Sequence, residues 1–369
     1  MPDERLLIGG LDTQVTLHQM NRGANLYDYS CDSKSICKSV HLSSTSSRLA
    51  IGLDKQGKGL VALWDTTSIV QLKQWHHEKP MWAVRLSPDA RLLAAAGWDM
   101  RLTLYSTSSF AMLQQISYEP AGGPAFIWSL EWSEGQSRLA LGCWDHFAYL
   151  YALSETDTHG EARKQQSVLA VPPLTEISRV KRADRVYAVA LDHNGGYMVT
   201  GGRDKRVAMY DTDRGEGGHG KTDARVDAVA MWDVPSDDFV YCIALSADMQ
   251  FVAFGGTAKK VSVLSAMSGA PHGAEHTRRA EIPARVVRAA HAAALCARAT
   301  GTALFEVPQP GVIWSVALMH SVKGWRLAIG GELPVLHVIN VDTQADELQL
   351  PVGETVLDEA NHTHGRIAC

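Results

Sequence analysis

Little in this chain is suited to cross-linking, membrane crossing or a strong one-sign field. Its six cysteines (Cys31, Cys37, Cys143, Cys242, Cys296 and Cys369) are scattered, without a CxxC pair or a framework-like spacing. That usage fits a reducing compartment better than a disulfide scaffold. No uninterrupted run of about 18 apolar residues occurs, the length a membrane-spanning helix needs. The first residues, MPDERLLIGGLD, carry acids where a secretory leader would be basic and then apolar. With 35 basic residues against 40 acidic, the net charge of −5 offers no bulk attraction for nucleic acid or an anionic membrane. A cytoplasmic protein is expected, with the nucleus also open to it.

Catalytic signatures are equally scarce. There is no G-x-S-x-G elbow and no sialidase-type Asp box. His76-His77, and His362 with His364, have no cysteine or carboxylate partners at ligand spacing. Asn361-His362-Thr363 is a glycosylation sequon by pattern only. The chain is therefore expected to have no catalytic residue, no metal and no cofactor.

What is present is self-similarity. A hydrophobic content of 46% with 20% charged residues is ordinary globular composition, but it is distributed in three recurring units. One is MWAVRLS (81–87), IWSLEWS (127–133), VYAVALD (186–192), VYCIALS (240–246) and IWSVALM (313–319), with a weaker copy CKSVHLS (37–43). Trp82, Val84 and Leu86 alternate with smaller or polar neighbours, the period of a half-buried strand. The second unit, rich in small and aliphatic residues, is ERLLIGGLD (4–12), SRLAIGLD, RLLAAAGWD, SRLALGCWD, GYMVTGGRD, QFVAFGGTA and WRLAIGGEL. A third unit, such as RLTLYSTSS or RVAMYDTDR, follows each time. Asp12, Asp54, Asp99, Asp145 and Asp204 stand where the second strand turns into the third, and Ala258 and Leu333 replace the acid in the last two copies. A short carboxylate hydrogen-bonds such a turn, and the nearby glycines are expected to supply its dihedral freedom. Trp98 and Trp144 are then turn residues rather than strand ends.

In this layout the chain resembles the WD-repeat β-propeller family. The best copy runs from His77 through MWAVRLSPDARLLAAAGWD, similar to the family's His, aliphatic, Ser-Pro-Asp and turn-Asp pattern, and Trp64-Asp65 matches its strand-end Trp-Asp. The resemblance covers nearly the whole chain as architecture, but few signature residues survive. The Gly-His dipeptide is missing, His77 is the one clear His, and Tyr105, Tyr151 and Tyr210 replace the strand-end Trp. The family's His–Ser/Thr–Asp–Trp network is incomplete, and a His77–Asp99 hydrogen bond is the part of it expected here.

The resemblance implies an all-β fold, a single seven-bladed β-propeller of four-stranded antiparallel blades over 1–369. Blade 1 covers about 4–32 plus a closing strand near 364–369. Blades 2 to 7 then fall at about 36–77, 80–121, 125–178, 184–236, 239–309 and 311–352. HGRIAC (364–369) is a thin closing segment, so a fragment of a longer chain is expected. Long connections fall at 154–166, 213–225 and 268–301. The last, with PARVVRAAHAAALCARATG, has Pro near a helix start, many alanines and a final Gly. Arg278, Arg279, Arg285, Arg288 and Arg298 make it basic. A solvated helical or disordered insertion near 270–300 is expected in preference to a basic docking arm.

Two motif matches sit in the wrong context. GEGGHGKT (215–222) fits the phosphate-loop pattern, but it lies in a variable connection, and the following VDAVAMWDV reads as an outer strand instead of a helix. WDMR (98–101) resembles the box by which some propellers dock on a cullin-RING ubiquitin ligase, yet it occupies a turn where that box ends a strand. In the WD-repeat family, ligands usually meet the face carrying the second-to-third-strand turns and the starts of the inner strands. On that face the turns offer Trp98, Trp144 and Arg203, and the inner strands offer Trp82, Trp128, Tyr187, Tyr241 and Trp314. Trp, Tyr and Arg are the side chains that dominate binding energy most often. Strand period puts the inner-strand aromatics on the same face as core aliphatics, which stacks them between blades; a ring around a pore mouth is the other reading. The function expected is a non-catalytic scaffold that binds other proteins or peptides. A ubiquitin-ligase substrate receptor and a nucleotide-binding propeller are the alternatives.

Overall fold

The computed structural model describes residues 5–9, 14–19, 24–30, 35–43, 47–118, 124–135, 138–153, 174–213, 226–266, 304–321, 324–332, 335–351 and 366–368. The regular structure among them is entirely strand, arranged in seven sheets. Blade 2 shows the common order, running from the inner strand outwards: Ser35–Leu42, Arg48–Lys55, Lys58–Asp65 and Val70–His77, each antiparallel to the next. Blade 3 repeats it with Met81–Leu86, Leu92–Gly97, Arg101–Ser106 and Met112–Ser117. Blade 4 uses Ile127–Trp132, Arg138–Cys143, Phe147–Leu153 and Leu174–Lys181. Blade 5 uses Val186–Leu191, Tyr197–Gly202, Arg206–Asp211 and Val229–Pro235. Blade 6 has Val240–Leu245, Phe251–Gly256, Lys260–Ser265 and Phe305–Pro308, and blade 7 has Ile313–Ser321, Gly324–Gly331, Val335–Asn340 and Asp346–Pro351.

Closure comes from the chain's two ends. Arg366–Ala368 pairs antiparallel with Arg5–Gly9, which continues into Gln14–Gln19 and Ala24–Ser30 to complete blade 1. These two strands of blade 1 contact the inner strand of blade 2, and Arg366–Ala368 contacts the first two strands of blade 7. Every other consecutive pair of blades is also in contact, so the ring is shut and no inner sheet face is left open.

The second strands explain their small residues. Ala94, Ala95 and Ala96 are fully buried because each such strand is flanked in its own sheet and covered by the neighbouring blades. The approach is close: a Cβ on Gly201 in blade 5 would lie 2.7 Å from Val240 Cγ1 of blade 6. Aliphatic clusters fill the spaces between blades, for example Leu102, Leu104, Ile127, Leu139 and Leu141 between blades 3 and 4. Sheets of four short strands have too little core alone, and radial stacking supplies it.

The stretch VDAVAMWDV departs from a single outer strand. Val229–Pro235 is the outer strand of blade 5, but Val226–Asp227 lies parallel to Leu174–Lys181 as a fifth strand on blade 4. The phosphate-loop match at 215–222, the insertions 154–166 and 268–301, the sequon and Asp12 lie outside the described residues.

Candidate functional site: an aromatic arc at the channel mouth

The site is built by one irregularity repeated six times. In every inner strand from blade 2 to blade 7 the register shifts across a single residue. The shifts span Cys37/Ser39, Met81/Ala83, Ile127/Ser129, Val186/Ala188, Val240/Cys242 and Ile313/Ser315. The extra residue is Lys38, Trp82, Trp128, Tyr187, Tyr241 or Trp314 in turn. A bulged residue leaves the alternation of its strand. The expectation that these aromatics share a face with core aliphatics is therefore corrected. Val84 and Leu86 enter the aliphatic cluster between blades 2 and 3, whereas none of the five aromatics belongs to any aliphatic cluster.

They pack on one another instead. Ring centroids are 4.3 Å apart for Trp82–Trp128, 5.4 Å for Trp128–Tyr187, 5.2 Å for Tyr187–Tyr241 and 4.7 Å for Tyr241–Trp314. The result is an arc spanning five blades, with Trp82 at 6% exposure and Tyr187 at 7%. Blade 2 ends the arc with a cation, Lys38 Nζ lying 4.6 Å above the Trp82 ring. Trp128, Tyr187, Tyr241 and Trp314 line a channel with a cavity volume of about 90 Å³.

The second-to-third-strand turns are fastened to this arc by a recurring backbone bond. The N–H groups of Trp98, Trp144, Arg203, Thr257 and Glu332 donate to the carbonyls of Pro80, Phe126, Arg185, Phe239 and Val312 at 2.9–3.2 Å. Trp98 is thereby stacked on Trp82 and Phe126, and Trp144 on Trp128. The Nε1 atoms of Trp98 and Trp144 have no hydrogen-bond acceptor among the described residues. Arg203 is exposed, 3.7 Å from Asp184 and over the Phe239 ring. Arg185, which the sequence reading passed over, lays its guanidinium 4.1 Å from the Trp144 ring centre.

The turn acids act on their own turns. Asp54, Asp99, Asp145 and Asp204 accept backbone N–H bonds from Gly57, Arg101, Phe147 and Arg206 at 2.8–3.2 Å. A glycine serves as expected in blade 2, where Gly57 follows Gln56 in the left-handed region; in blades 3 to 6 the left-handed residue is Met100, His146, Lys205 or Lys259 instead. Gly97 and Gly202 precede the turns because an inner-strand carbonyl sits against them. A Cβ there would fall 2.2 Å from Pro80 O and 2.0 Å from Arg185 O.

Beneath the turns, side chains latch blades 2, 3 and 4 each to the next. His77 of blade 2 reaches Asp99 Oδ2 at 3.3 Å and the Tyr105 hydroxyl at 3.1 Å, both in blade 3. Burial, with Asp99 nearby, pushes the Tyr105 phenol up to about 12. Tyr118 takes the same place in blade 3 and meets the Tyr151 hydroxyl of blade 4 at 2.5 Å, while Tyr149 donates to Asp145 at 2.6 Å. In blade 4 the place belongs to Arg182, which donates to Asp204 at 2.9 Å and to the Tyr210 hydroxyl at 2.8 Å in blade 5. Tyr118 and Arg182 were not legible as stand-ins for His, because they share only its position.

Deeper in the channel, Arg85 donates to Glu131 at 3.1 Å, and burial raises that carboxyl against the pull of Arg85. Ser39 Oγ and His41 Nδ1 of blade 2 accept the N–H groups of Val84 and Leu86 at 3.1 Å, covering the open inner edge of blade 3. Among the described residues no three His, Cys, Asp or Glu side chains are placed to hold a metal.

A family model described as WD domain, G-beta repeat matches residues 69–106 and 176–211. These two segments carry the His77–Asp99–Tyr105 and Arg182–Asp204–Tyr210 latches. No curated protein matches the sequence significantly. Two matched repeats within a closed ring of seven four-stranded antiparallel blades fit a divergent WD-repeat β-propeller.

Proposed function

We propose that this chain is a non-catalytic scaffold that grips a segment of another protein at the aromatic mouth of its channel. WD repeats generally mediate protein–protein interaction, and their propellers are generally non-catalytic. One observation carries the reading to this site. Six bulges set aside a side chain from the inner strands of blades 2 to 7, and five of those side chains are Trp or Tyr held outside the aliphatic clusters. Rigid aromatic anchors around a concave centre are what a peptide-binding hot spot uses. The ligase alternative gains no support from WDMR, since Trp98 is stacked between Trp82 and Phe126 and Asp99 caps its own turn.

The test is partner recovery from a lysate of the source cell, with the intact chain as bait. Replacing Trp128 and Tyr241 together by Ala should reduce recovered partners at least about tenfold. Undiminished recovery, with the same partners and the same melting temperature, removes the mouth as the binding surface.

A further inference from the structure

We infer that the segment received at this mouth is acidic: a peptide whose carboxylates meet Arg185 and whose apolar side chains lie against the aromatic arc. The inference rests on the reading of the mouth as a protein-binding surface and adds the chemistry of the partner.

The first observation is the direction in which the rings face. Trp82–Trp128, Trp128–Trp144 and Tyr241–Trp314 are stacked, with interplanar angles of 23°, 22° and 16°. Stacking spends the electron-rich ring faces on one another and on local cations, namely Lys38 over Trp82 and Arg185 over Trp144. At the stacked rings what remains for a partner is ring edge, the electropositive part of an aromatic quadrupole. A cationic partner would find Trp82 and Trp128 already stacked on Trp98, Trp144 and each other.

The second observation concerns Arg185. Its guanidinium lies on the Trp144 ring, half-buried, and no carboxylate among the described residues is within ion-pair distance of it. A guanidinium held over an aromatic ring keeps its N–H donors, two of which can bind a carboxylate through parallel hydrogen bonds. The neighbouring acids do not compete. Asp184 accepts the Arg185 backbone N–H and faces Arg203, Asp237 pairs with Lys260, and Asp238 pairs with Lys205. Arg203 and Lys205 beside it are each paired with an acid, which leaves Arg185 as the cation of this group without an acidic partner among the described residues. An uncompensated cation at the edge of the arc attracts an acidic segment to the site.

The experiment uses the intact chain and a capped, fluorescein-labelled peptide alternating Glu and Leu, followed by anisotropy. Matched peptides carry Gln, Lys or phosphoserine in place of Glu. The Glu peptide should bind, with affinity falling as salt rises, the Gln peptide should bind at least about tenfold more weakly and the Lys peptide weaker still. Arg185→Gln should weaken the Glu peptide about tenfold without moving the melting temperature. Should that variant fail to fold, the salt series on the intact chain decides by itself. Failure of the Glu peptide to bind, equal affinity for Glu and Gln, indifference to Arg185→Gln, or binding of the phosphoserine peptide alone each overturns the acidic partner. The double Ala variant at Trp128 and Tyr241 separates the two readings. If it abolishes equal Glu and Gln binding, the mouth stands and only the acidic class falls; if it leaves Glu binding untouched, the mouth falls too.

Discussion

Arg182 and Asp204 belong to different blades, and their side chains meet at 2.8 Å with only 5% of each exposed. The pair replaces the His–Asp contact that His77 and Asp99 make two latches earlier. A buried ion pair adds little over a good apolar substitute, but removing one partner strands the other. Arg182→Ala should therefore destabilise the chain by about 3–5 kcal/mol in urea unfolding. A loss near zero would mean that Asp204 is rescued by solvent and that the latch is dispensable.

The His77 latch is softer. His77→Ala removes one hydrogen-bond partner each from Asp99 and Tyr105 in a site where the His77 and Asp99 side chains are 5% exposed. The expected cost is about 1–3 kcal/mol, seen as a lower thermal midpoint. An unchanged midpoint would show that the 3.3 Å contact contributes nothing to stability.

Acid should loosen the contact between blades 2 and 3 through His41. Burial, assisted by Arg85, lowers its ring from 6.5 to about 3, and its Nδ1 accepts the Leu86 N–H, which a protonated ring could not do. The folded protein thus holds fewer protons than the unfolded chain between those two values. Stability from this group is complete above about pH 6.5 and declines as pH falls towards 3, with a slope of up to roughly 1.4 kcal/mol per pH unit. His41→Asn should flatten that limb in urea titrations run at several pH values. An acid limb as steep as that of the parent would assign the effect elsewhere.

Gly202 tests how firmly a turn is seated. Gly202→Ala places a Cβ 2.0 Å from Arg185 O, so the inner-strand start must move. A loss of about 1–3 kcal/mol is expected. Amide shifts in an NMR spectrum should gather at Arg185, Tyr187 and Arg203, and a wild-type spectrum there would show that the strand start is not constrained.

The architecture was readable because each blade repeats the same three-unit pattern and its turns are marked by acids such as Asp99 and Asp204. The destination of Trp82 was not readable. Counting alternate residues groups it with Val84 and Leu86, and only the cross-strand pairing of Met81 with Gly97 and Ala83 with Ala96 exposes the extra residue between. Arg182 escaped for a different reason. A search for His at one position cannot see that a guanidinium fills the same space and reaches the same carboxylate and phenol. The glycine before a turn suggests dihedral freedom from sequence alone, whereas Gly97 admits the Pro80 carbonyl.

The pairing of Arg366–Ala368 with Arg5–Gly9 couples the first described strand to the last one. Blades 2 to 7 each draw their four antiparallel strands from one continuous stretch and can form as that stretch leaves the ribosome, with the fifth strand of blade 4 added later. Blade 1 must wait for a partner nearly a full chain away, and the entropy of closing so large a loop makes this the slow, last zipper. Until it shuts, the edge of Arg5–Gly9 and the flank of blade 7 stand open. A nascent chain is thus most vulnerable to mispairing at its first sheet, long after that sheet has been synthesised.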